Sequence, residues 1–576
     1  MSFRRWVQTF CLIVFLGLLF IASGDLVVSP SSDFFLRLDP SIVLITAFSS
    51  RYLLIGMIPA AVILILTVFL GRFFCGHICP MGTTLDVADK VFAVSFKKQK
   101  DVGYLRSLKY LVLTALVLAS LFGVSFIFIA SPLSLITRFY GLIMLPAVNY
   151  LTGGAHQLLF PLWEQLDINS LLFFQVRSLR YATQFFVLLF FVSLFGLSRI
   201  TPRFWCRYIC PAGALFALFS RQPLVHRVVS DKCDDCGKCA RACSMGAIDE
   251  ENVVQTCFED CVVCLTCEKV CPEGAITFST GRMPVQNQVI STLPTRRQFI
   301  VAGVAGTSTA IASLTGLNSS VGKAGQGQVA PPMLIRPPAT LPEFDFLARC
   351  VRCGECMVAC PTNTLQPIWF DAGVMGLFSP AITPRRGFCN PDCHRCAEVC
   401  PTESIRRVSK RERLWAKTGT AVIHRQNCLA WEHDLKCMVC DEVCPFGAIE
   451  FNREIGLSVT VPKVKEEKCS GCGYCEYHCP VQNQSAIVVT PMNALRLSQG
   501  SFKVIGKQKG LNISRKEKGP SAYPGSEKLN NPAPGFDSSP APGFDSQSAP
   551  GFDSSSAPVL DPGSEKKPPL APGFSE

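Results

Sequence analysis

The stretch CDDCGKCARACS, residues 233–244, spaces four cysteines as C-x2-C-x2-C-x3-C, and CFEDCVVCLTCEKVCP, residues 257–272, repeats that spacing from Cys261 onward. Thiolates are soft ligands that suit iron, and this spacing lets one loop bind three corners of an iron–sulfur cube while its fourth cysteine binds a second cube. Zinc is the alternative, but zinc sites take separated pairs of ligands. We therefore predict two [4Fe–4S] clusters, with the ligand sets Cys233, Cys236, Cys239 and Cys271, and Cys261, Cys264, Cys267 and Cys243.

A second region carries sixteen more cysteines in four groups, and each group ends in C-x3-C-P. The groups are Cys350, Cys353, Cys356 and Cys360; Cys389, Cys393, Cys396 and Cys400; Cys428, Cys437, Cys440 and Cys444; and Cys469, Cys472, Cys475 and Cys479. Sixteen thiolates suit four further cubes, which makes about six in the chain. Ligands are expected to be exchanged between groups, but the spacing leaves open which groups pair. Apolar strands are predicted after several runs, in PEGAITF, PFGAIEF and PVQNQSAIVV.

Two other interpretations of the second region compete with clusters. Disulfides would fit an exported domain, but four repeats of one spacing favour metal. Cys389, Cys393 and His394 are similar to a haem attachment motif, yet the motif is one residue too long and two further cysteines complete a cluster group. A domain with four cubes has little room for an apolar core, so the clusters are expected to contribute much of its stability.

The N-terminal part of the chain is predicted to lie in a membrane. Four apolar runs approach the length of about 20 residues that a spanning helix needs, at Trp6–Ala22, Tyr52–Leu70, Tyr110–Ala130 and Tyr181–Ser198. Lys and Arg concentrate before the first run, between the second and third, and after the fourth, which assigns both ends of this bundle to the cytoplasm. The net charge of +12 therefore favours a membrane protein over a nucleic-acid-binding one.

The chain of 576 residues is accordingly predicted to be multi-domain. An α-helical membrane bundle at 1–227 precedes an α+β ferredoxin-like domain at 228–285 in the cytoplasm. A second ferredoxin-like domain at 342–495 lies in the periplasm. Residues 502–576 repeat APGFD and are rich in Pro, Gly and Ser, which predicts a disordered tail. Its phenylalanines could be docking points, although an extended tether is favoured.

Two connecting segments leave alternatives open. Residues 131–180 are apolar but interrupted by Pro146, Pro161, Glu164 and Asp167, so an interfacial or re-entrant segment is favoured over two extra spans. TRRQFI, residues 295–300, begins a mildly apolar segment at 295–320 that matches a twin-arginine export signal. An ordinary fifth helix is the alternative, and the sequence does not determine whether the segment is cleaved. Both interpretations assign the second cysteine-rich region to the periplasm.

Two short motifs suggest a duplicated hairpin. FCGHICPMG, residues 74–82, follows the second apolar run, and WCRYICPAG, residues 205–213, follows the fourth. The four thiols could hold a metal or another cofactor, act as a dithiol pair, or relay electrons; a structural disulfide or simple burial is the alternative. These candidate cofactor-binding residues are Cys75, Cys79, Cys206 and Cys210. Cys11 is predicted to pack as an apolar residue in the first helix, and Cys257 receives no role.

With these motifs, residues 1–280 resemble the NapH-type ferredoxin membrane subunit. Residues 295–490 resemble the NapG/MauM ferredoxin-type proteins, on the twin-arginine segment, the four cluster groups, and the stretches NCLAWEHDLKCMVCDEVCP and CSGCGYCEYHCP. The resemblance implies a fusion of the two families, in which the protein oxidises membrane quinol and delivers electrons to a periplasmic reductase or c-type cytochrome. The APGFD tail belongs to neither family pattern.

The leading hypothesis is an iron–sulfur electron-transfer protein of the bacterial inner membrane, with quinol as its donor. No nucleotide-binding loop, nucleophile constellation or flavin motif indicates further chemistry, so quinol dehydrogenation is the only enzymatic activity considered. A redox maturation or regulatory protein of a respiratory metalloenzyme is the alternative, because NosR-like and CcoG-like proteins share the C-x3-C-P motif. About 30 Å of hydrocarbon would separate inner from outer clusters. Quinone, the C-x3-C-P site or a partner must bridge that distance.

Overall fold

The fold, obtained as a computed structural model, is described for residues 3–24, 32–92, 105–167, 179–249, 251–281, 293–314 and 334–516. The described residues up to 219 form a helical domain, and two cysteine-rich regions, 225–281 and 334–516, combine short helices with two-stranded sheets. The predicted APGFD repeats lie outside the described residues. The multi-domain α+β character of the cysteine-rich part agrees with the sequence.

The helical domain follows one order of elements. Its helices are α1 (Phe3–Ser23), α2 (Pro40–Ser50), α3 (Ile58–Leu70), α4 (Phe73–His77), α5 (Pro80–Phe92), α6 (Leu108–Leu121), α7 (Ile127–Ala130), α8 (Pro132–Phe139), α9 (Leu145–Gln165), α10 (Gln184–Gly196) and α11 (Pro211–Phe219). Two π-helical turns, Tyr140–Met144 and Trp205–Ile209, interrupt the series.

The two halves of the helical domain repeat each other. The first half runs from α1 to α5, and the second from α6 to α11. In both halves a C-x3-C-P motif lies between an apolar helix (α3 or α10) and a helix that begins with proline (α5 or α11). Proline suits this first position because its missing N–H has no partner there. The halves also meet directly. Asp39 caps α2, Ser131 caps α8, and Ser131 Oγ donates to Asp39 Oδ2 at 2.7 Å.

Three of the four predicted spans form shorter helices than expected. Helices α3, α6 and α10 have 13, 14 and 13 residues. The run Tyr110–Ala130 breaks after Leu121 because Gly123 adopts a φ of +80°, and a Cβ there would lie 2.7 Å from the Phe344 ring. Within the described ranges only α1 is long and apolar enough to cross a membrane, while α2, α3, α6 and Gln184–Arg199 are shorter apolar helices.

The predicted interfacial segment at 131–180 is helical over most of its length. Helix α8, the π-helical turn and α9 continue into one another from Pro132 to Gln165, and α9 passes through Pro161. Residues 168–178 lie outside the described residues. Whether this helix lies in or across a membrane interface stays a prediction.

Each cysteine-rich region contains antiparallel strand pairs. The strands are β1 (Val225–Val229), β2 (Ile276–Thr280), β3 (Leu365–Pro367), β4 (Pro380–Ile382), β5 (Thr420–Ile423), β6 (Ile449–Arg453), β7 (Thr460–Val464) and β8 (Ile487–Thr490). The pairs are β1 with β2, β3 with β4, β5 with β8, and β6 with β7. Strands β2, β6 and β8 are the ones predicted after the cysteine runs, and those predictions are confirmed.

Short helices lie within and beside the cysteine runs. They are α12 (Lys238–Arg241) and α13 (Thr266–Val270) in the first region, and α15 (Glu343–Arg349), α16 (Glu355–Val358), α17 (Gly373–Gly376), α18 (Arg395–Glu398), α19 (Lys410–Trp415), α20 (Leu429–Glu432), α21 (Val439–Glu442), α22 (Tyr474–His478) and α23 (Phe502–Gln508) in the second. Helix α14 (Arg296–Leu314) lies between the two regions in the chain.

The second region is longer at both ends than the predicted 342–495. Arg336 is buried against Glu343 before it, and helix α23 follows it. The prediction that the disordered tail starts at 502 is therefore wrong. Phe502 is fully buried in a core with Ala339, Ala416 and Leu495, and the folded part continues to 516.

The two cysteine-rich regions contact opposite ends of the helical domain. The first region meets the start of α6, where Lys109 pairs with Asp260. The second region meets the chain just beyond the other end of α6, where Arg352 Nη1 donates to the Ser125 carbonyl at 2.9 Å. It also meets the end of α2, where Ser49 Oγ donates to a backbone carbonyl of α15 at 2.7 Å.

Helix α14, which contains the twin-arginine segment, packs along α6. Its buried residues Ala302, Gly306 and Ala310 recur every fourth position. A Cβ on Gly306 would lie 2.5 Å from the Ala115 carbonyl oxygen, so the two backbones approach closely. Small residues at this spacing are typical of closely packed helix pairs. Export through the twin-arginine route stays a prediction.

Candidate metal centres

In the first region, one predicted ligand set surrounds a single cavity. Cys243, Cys261, Cys264 and Cys267 line it together, as the exchange of the fourth cysteine requires. The loop bends tightly because Val263 and Leu265 both have positive φ. Neighbouring amides satisfy part of the sulfur's hydrogen-bonding capacity, as where Ala247 N donates to Cys243 Sγ at 3.3 Å.

The other set of the first region lies on the second side of the same small core. Cys239 is buried there, and Cys233 and Cys271 pack against that core. Cys236 lies three residues from Cys239 in the same loop. Cys257 is buried but stands outside both sets, 3.9 Å from Asp260 Oδ2.

In the second region, the structure assigns partners that the spacing left open. One cavity is lined by Cys428, Cys437, Cys440 and Cys479, so the third group takes its last thiol from the fourth. The complementary cavity is lined by Cys444, Cys469, Cys472 and Cys475. The third and fourth groups therefore form one two-cavity unit.

The first and second groups pair in the same way. Cys350, Cys353 and Cys400 are buried in one core, and Cys356 packs against it. Burial, followed by the charges of Cys353, Cys350, Cys400 and Cys396, raises the pKa of the Cys356 thiol. This set therefore draws its fourth member from the second group.

The complementary thiols converge as well. Burial raises the pKa of the Cys396 thiol. The charges of Cys389, Cys393 and Cys360 raise it further, and the charge of Arg413 opposes them. Across the second region the sets are then 350, 353, 356 and 400; 360, 389, 393 and 396; 428, 437, 440 and 479; and 444, 469, 472 and 475.

The donor sets fit cubes better than single ions. None of the 30 cysteines forms a disulfide. In the described part of the chain, no three His, Cys, Asp or Glu side chains converge as they would around one metal ion. Thiolates around a single zinc ion would lie about 3.8 Å apart, whereas a cube spreads its four ligands over four corners.

Several donors to the candidate sulfur ligands come from outside the cysteine runs. Arg413 Nη2 donates to Cys389 Sγ at 3.0 Å, Arg227 Nη2 donates to Cys239 Sγ at 3.6 Å, and Ser404 Oγ lies 3.2 Å from the Sγ of Cys400. Hydrogen bonds to the sulfurs tune the potential of a bound cluster. Sequence reasoning missed Arg413, because nothing in its charged surroundings marks it as different from the neighbouring arginines.

The two C-x3-C-P motifs come together in one buried core. Cys79, Cys206 and Cys210 are 6%, 7% and 4% exposed, and Cys75 packs against them. Burial raises the pKa of Cys206 to about 12, against the opposing charge of Arg203 and with the added charge of Cys75. The thiols of both motifs thus lie close enough to influence each other, as the duplicated hairpin predicts.

Other groups reach this four-thiol core from both sides. Burial raises the pKa of the Cys210 thiol, and the charges of Cys206, Cys75 and, more weakly, Asp39 of the α2 cap raise it further. On the opposite side, a Cβ on Gly76 would lie 2.5 Å from the carbonyl oxygen of Val262, in the loop of the first region.

An arginine precedes each motif at the same position of the repeat, and each reaches the opposite motif. Arg203 Nη1 donates to the Cys75 carbonyl at 3.3 Å, and its Nη2 donates to the Gly82 carbonyl at 3.4 Å. Arg72 lies against Gly213, where an added Cβ would be 2.6 Å from Arg72 Nη2. Both arginines are fully buried.

Family comparisons assign 4Fe–4S binding domains to this chain. A family model described as a 4Fe–4S binding domain matches residues 52–99 and again 183–230, so that each match contains one C-x3-C-P motif. A second model of that description matches 347–366, and a 4Fe–4S dicluster domain matches 435–483. No solved structure matches the chain.

The alignments with curated relatives include about a third of this chain. The methylamine utilization ferredoxin-type protein MauM of Methylorubrum extorquens is 35% identical over 208 residues, which are 34% of this chain and 90% of that protein. MauM of Paracoccus denitrificans is 40% identical over 27% of this chain and 71% of its own length. The ferredoxin-type protein NapG of Escherichia coli is 31% identical over 38% of this chain and 94% of its own length. The chain contains 4Fe–4S binding domains and spans 90% of the Methylorubrum MauM and 94% of NapG, so it belongs to the family of MauM and NapG ferredoxin-type electron-transfer proteins.

Proposed function

We propose that this protein is anchored in the bacterial inner membrane and passes electrons from membrane quinol through [4Fe–4S] clusters to a periplasmic reductase or c-type cytochrome. The observation that carries the proposal is the arrangement of two cysteine-rich regions against opposite ends of one helical domain. An electron carrier that connects the two sides of a membrane requires such an arrangement.

The residues of the chain support six clusters. Six sets of four thiols account for 24 of the 30 cysteines, and each set combines three cysteines of one run with one cysteine of another. When bound, a [4Fe–4S] cluster takes up and releases one electron at a time. The protein's part is to supply deprotonated thiolates, exclude water, and direct N–H donors such as Arg413 toward the sulfurs.

The outward faces of the helices support the membrane location. Helix α10 exposes Phe185, Phe186 and Leu189, and α3 exposes Ile58 and Ile65. Single exposed apolar residues are normal on soluble proteins, but whole apolar helix faces mark contact with lipid or with another protein. With the basic residues beside these helices, lipid is the partner that we propose.

The arrangement also supports a fusion of a NapH-type membrane part with the MauM/NapG-type region. The two matches to a 4Fe–4S binding domain fall within the duplicated helical halves. Region 225–281 is proposed to lie in the cytoplasm and region 334–516 in the periplasm. The close contact between α14 and α6 favours a twin-arginine segment that is retained as a helix over one that is removed.

Reduction by a quinol analogue tests this function. The full-length protein, purified without oxygen, should lose visible cluster absorbance when a reduced quinone analogue is added, and should recover it with an oxidant. A maturation or regulatory protein, the alternative, has no need of quinol. Clusters that dithionite reduces but quinol leaves oxidised would therefore refute the proposal and favour that alternative.

A further inference from the structure

A cleft between helices α9 and α10 lies beside the second cysteine-rich region. We propose that this cleft binds the headgroup of membrane quinol and is the place where electrons enter the second region. The inference rests on the proposed function for quinol as the electron donor, and it adds the site and the residues that bind it.

The cleft has the size of a small-molecule site. Its volume is about 700 Å³, and such sites typically have roughly 300 to 1,000 Å³. One face of α9 forms one wall, because the lining residues Pro146, Asn149, Gly153 and Gln157 recur at helical spacing. Arg180 and the first turns of α10 form the other wall.

The lining combines the two kinds of surface that quinol requires. Tyr150, Gln157 and Arg180 are exposed polar residues of the cleft. Their N–H and O–H groups can donate to quinone carbonyls, and the tyrosine and glutamine oxygens can accept from quinol hydroxyls. Leu188 and Phe185 supply apolar lining. Phe185 also belongs to the exposed face of α10 that is proposed to contact lipid, so an isoprenoid tail can extend from the cleft into the membrane.

The floor of the cleft touches a cysteine run of the second region. Gln184, which lines the cleft, donates from Nε2 to the Leu142 carbonyl at 3.2 Å. The Leu142 side chain is buried against Gly354, where an added Cβ would lie 3.5 Å from Leu142 Cγ. Gly354 stands between Cys353 and Cys356. One side chain therefore separates the polar part of the cleft from the loop of a candidate cluster.

The wall at Arg180 touches the same run at its other end. The Arg180 carbonyl accepts from Asn363 Nδ2 at 2.8 Å and from Gln366 Nε2 at 3.2 Å. Asn363 follows Cys360 by three residues. The buried core around Leu142 contains Cys360, and Cys356 packs against that core. The cleft thus adjoins both of the thiol sets that the first and second groups form.

The backbone at the floor of the cleft is also unusual. Leu142 lies in the π-helical turn Tyr140–Met144, and Ile143 of the same turn lines the cleft. Single π-helical turns are rare and often mark functional sites. Here the turn directs the Leu142 carbonyl to Gln184 and the Leu142 side chain to the cysteine loop.

The chemistry at this site is balanced. Oxidation of one quinol breaks two O–H bonds and releases two electrons and two protons. One electron passes to each of the two adjoining thiol sets, which contain Cys356 and Cys360, and the protons pass to water beside the exposed Arg180. Cys356 also packs against the core that contains the C-x3-C-P thiols, Cys243 and Cys264. That core continues the path toward the first region.

A second cleft, of about 540 Å³, lies between α6 and α14 and fits quinol less well. Its polar lining residues are Tyr110, Thr114 and Arg296. The Tyr110 hydroxyl already donates to Glu259 Oε2 at 3.0 Å, and the Thr114 hydroxyl donates to the Tyr110 carbonyl at 2.9 Å. Both hydroxyls are therefore used within the protein.

Photolabelling tests the inference without measuring electron transfer. The full-length protein in lipid nanodiscs is illuminated with a short-chain quinone that carries an azide, and labelled peptides are identified by mass spectrometry. Label should fall on 143–157 and 179–188, and excess unlabelled quinone should remove it. Gly154→Leu should reduce this label on the order of tenfold. A Cβ there meets no atom within 4 Å among the described residues, so the leucine fills the cleft without strain.

Matched variants separate the cleft from general effects on the helices. Ala155→Leu places the same side chain on an exposed neighbour that does not line the cleft, and should keep wild-type labelling. Arg180→Met removes the donors but leaves the carbonyl that binds Asn363, and should weaken labelling, whereas Arg199→Met at the exposed far end of α10 should not.

The outcomes distinguish the site from the proposed function. Label at the cleft between α6 and α14, or label that excess quinone does not displace, would overturn the inference. So would reduction of Gly154→Leu by quinol at the wild-type rate, which would leave the proposed function standing. Displaceable label in the α9–α10 cleft of a protein that quinol never reduces would refute the proposed function and leave the binding site standing.

Discussion

Arg413 Nη2 donates a hydrogen bond to Cys389 Sγ at 3.0 Å, although the two residues belong to different segments of the second cysteine-rich region. The charged donor stabilises the more negative, reduced state of a cluster held there. Arg413→Gln should therefore lower the midpoint potential of that one cluster by on the order of 50 mV. An EPR-monitored redox titration would measure the shift.

The neighbouring arginine provides the control for this prediction. Arg411 lies on the same helix but is exposed, and Arg411→Gln removes the same charge without a contact to sulfur. Equal shifts in both variants would show that net charge, and not the hydrogen bond, sets the potential.

The exchange of ligands between the third and fourth groups predicts a specific pattern of iron loss. Cys479→Ser should remove the cluster of Cys428, Cys437 and Cys440 rather than the cluster of its own run. Each cube holds four irons, so the single variant should lose about four. Iron analysis and EPR of the anaerobically purified protein would measure it.

Double variants show which cysteines bind the same cube, and they do so without an assignment of EPR signals to individual clusters. Cys479→Ser with Cys437→Ser affects one cube, so the loss should stay near four irons, whereas Cys479→Ser with Cys472→Ser affects two cubes and should lose about eight. The reverse pattern would mean that each run binds its own cube.

The four-thiol site predicts non-additive losses of electron transfer. Cys79→Ser and Cys210→Ser should each block reduction of the clusters by quinol, because a site that lacks one ligand is already broken. The double variant should be little worse than either single variant, and the six ferredoxin-type clusters should stay in place. Normal reduction rates in both single variants would make these cysteines structural.

Topology can be tested with reporter fusions. Fusions at Pro284 and after Lys516 should report opposite sides of the membrane, since the charge distribution assigns the first region to the cytoplasm. Replacing Arg296 and Arg297 with lysine should leave the second region in the cytoplasm while α1 to α11 still insert. Normal export of this double variant would refute dependence on the twin-arginine route, though not the topology.

The local part of the candidate sites could be predicted from the sequence. Three ligands of each cube lie within a single run, and the exchange of a fourth ligand in the first region follows from two adjacent runs. The pairing in the second region could not be predicted, because it depends on which runs pack together. Cys479 lies 51 positions after Cys428 in the chain, and it reaches the same cavity where β5 pairs with β8.

Elsewhere, single residues that contact distant parts of the chain determine where an element or a folded region ends. The left-handed φ of Gly123 ends α6, and Phe344 occupies the space that a Cβ at this position would need. Phe502 is buried and keeps the chain folded beyond the predicted start of the tail. The pair Arg72 and Arg203 could be predicted in part. Their equivalent places in the repeat were visible in the sequence, but only the fold reveals that each reaches the other's motif.

The central claim is that quinol delivers electrons to clusters in both cysteine-rich regions. The most direct measurement is freeze-quench EPR of the full-length protein in lipid nanodiscs, without oxygen, after addition of a quinol analogue. The account predicts reduced-cluster signals from both regions, identified by their loss in Cys264→Ser and in Cys472→Ser variants. Signals that appear with dithionite but never with quinol would contradict it.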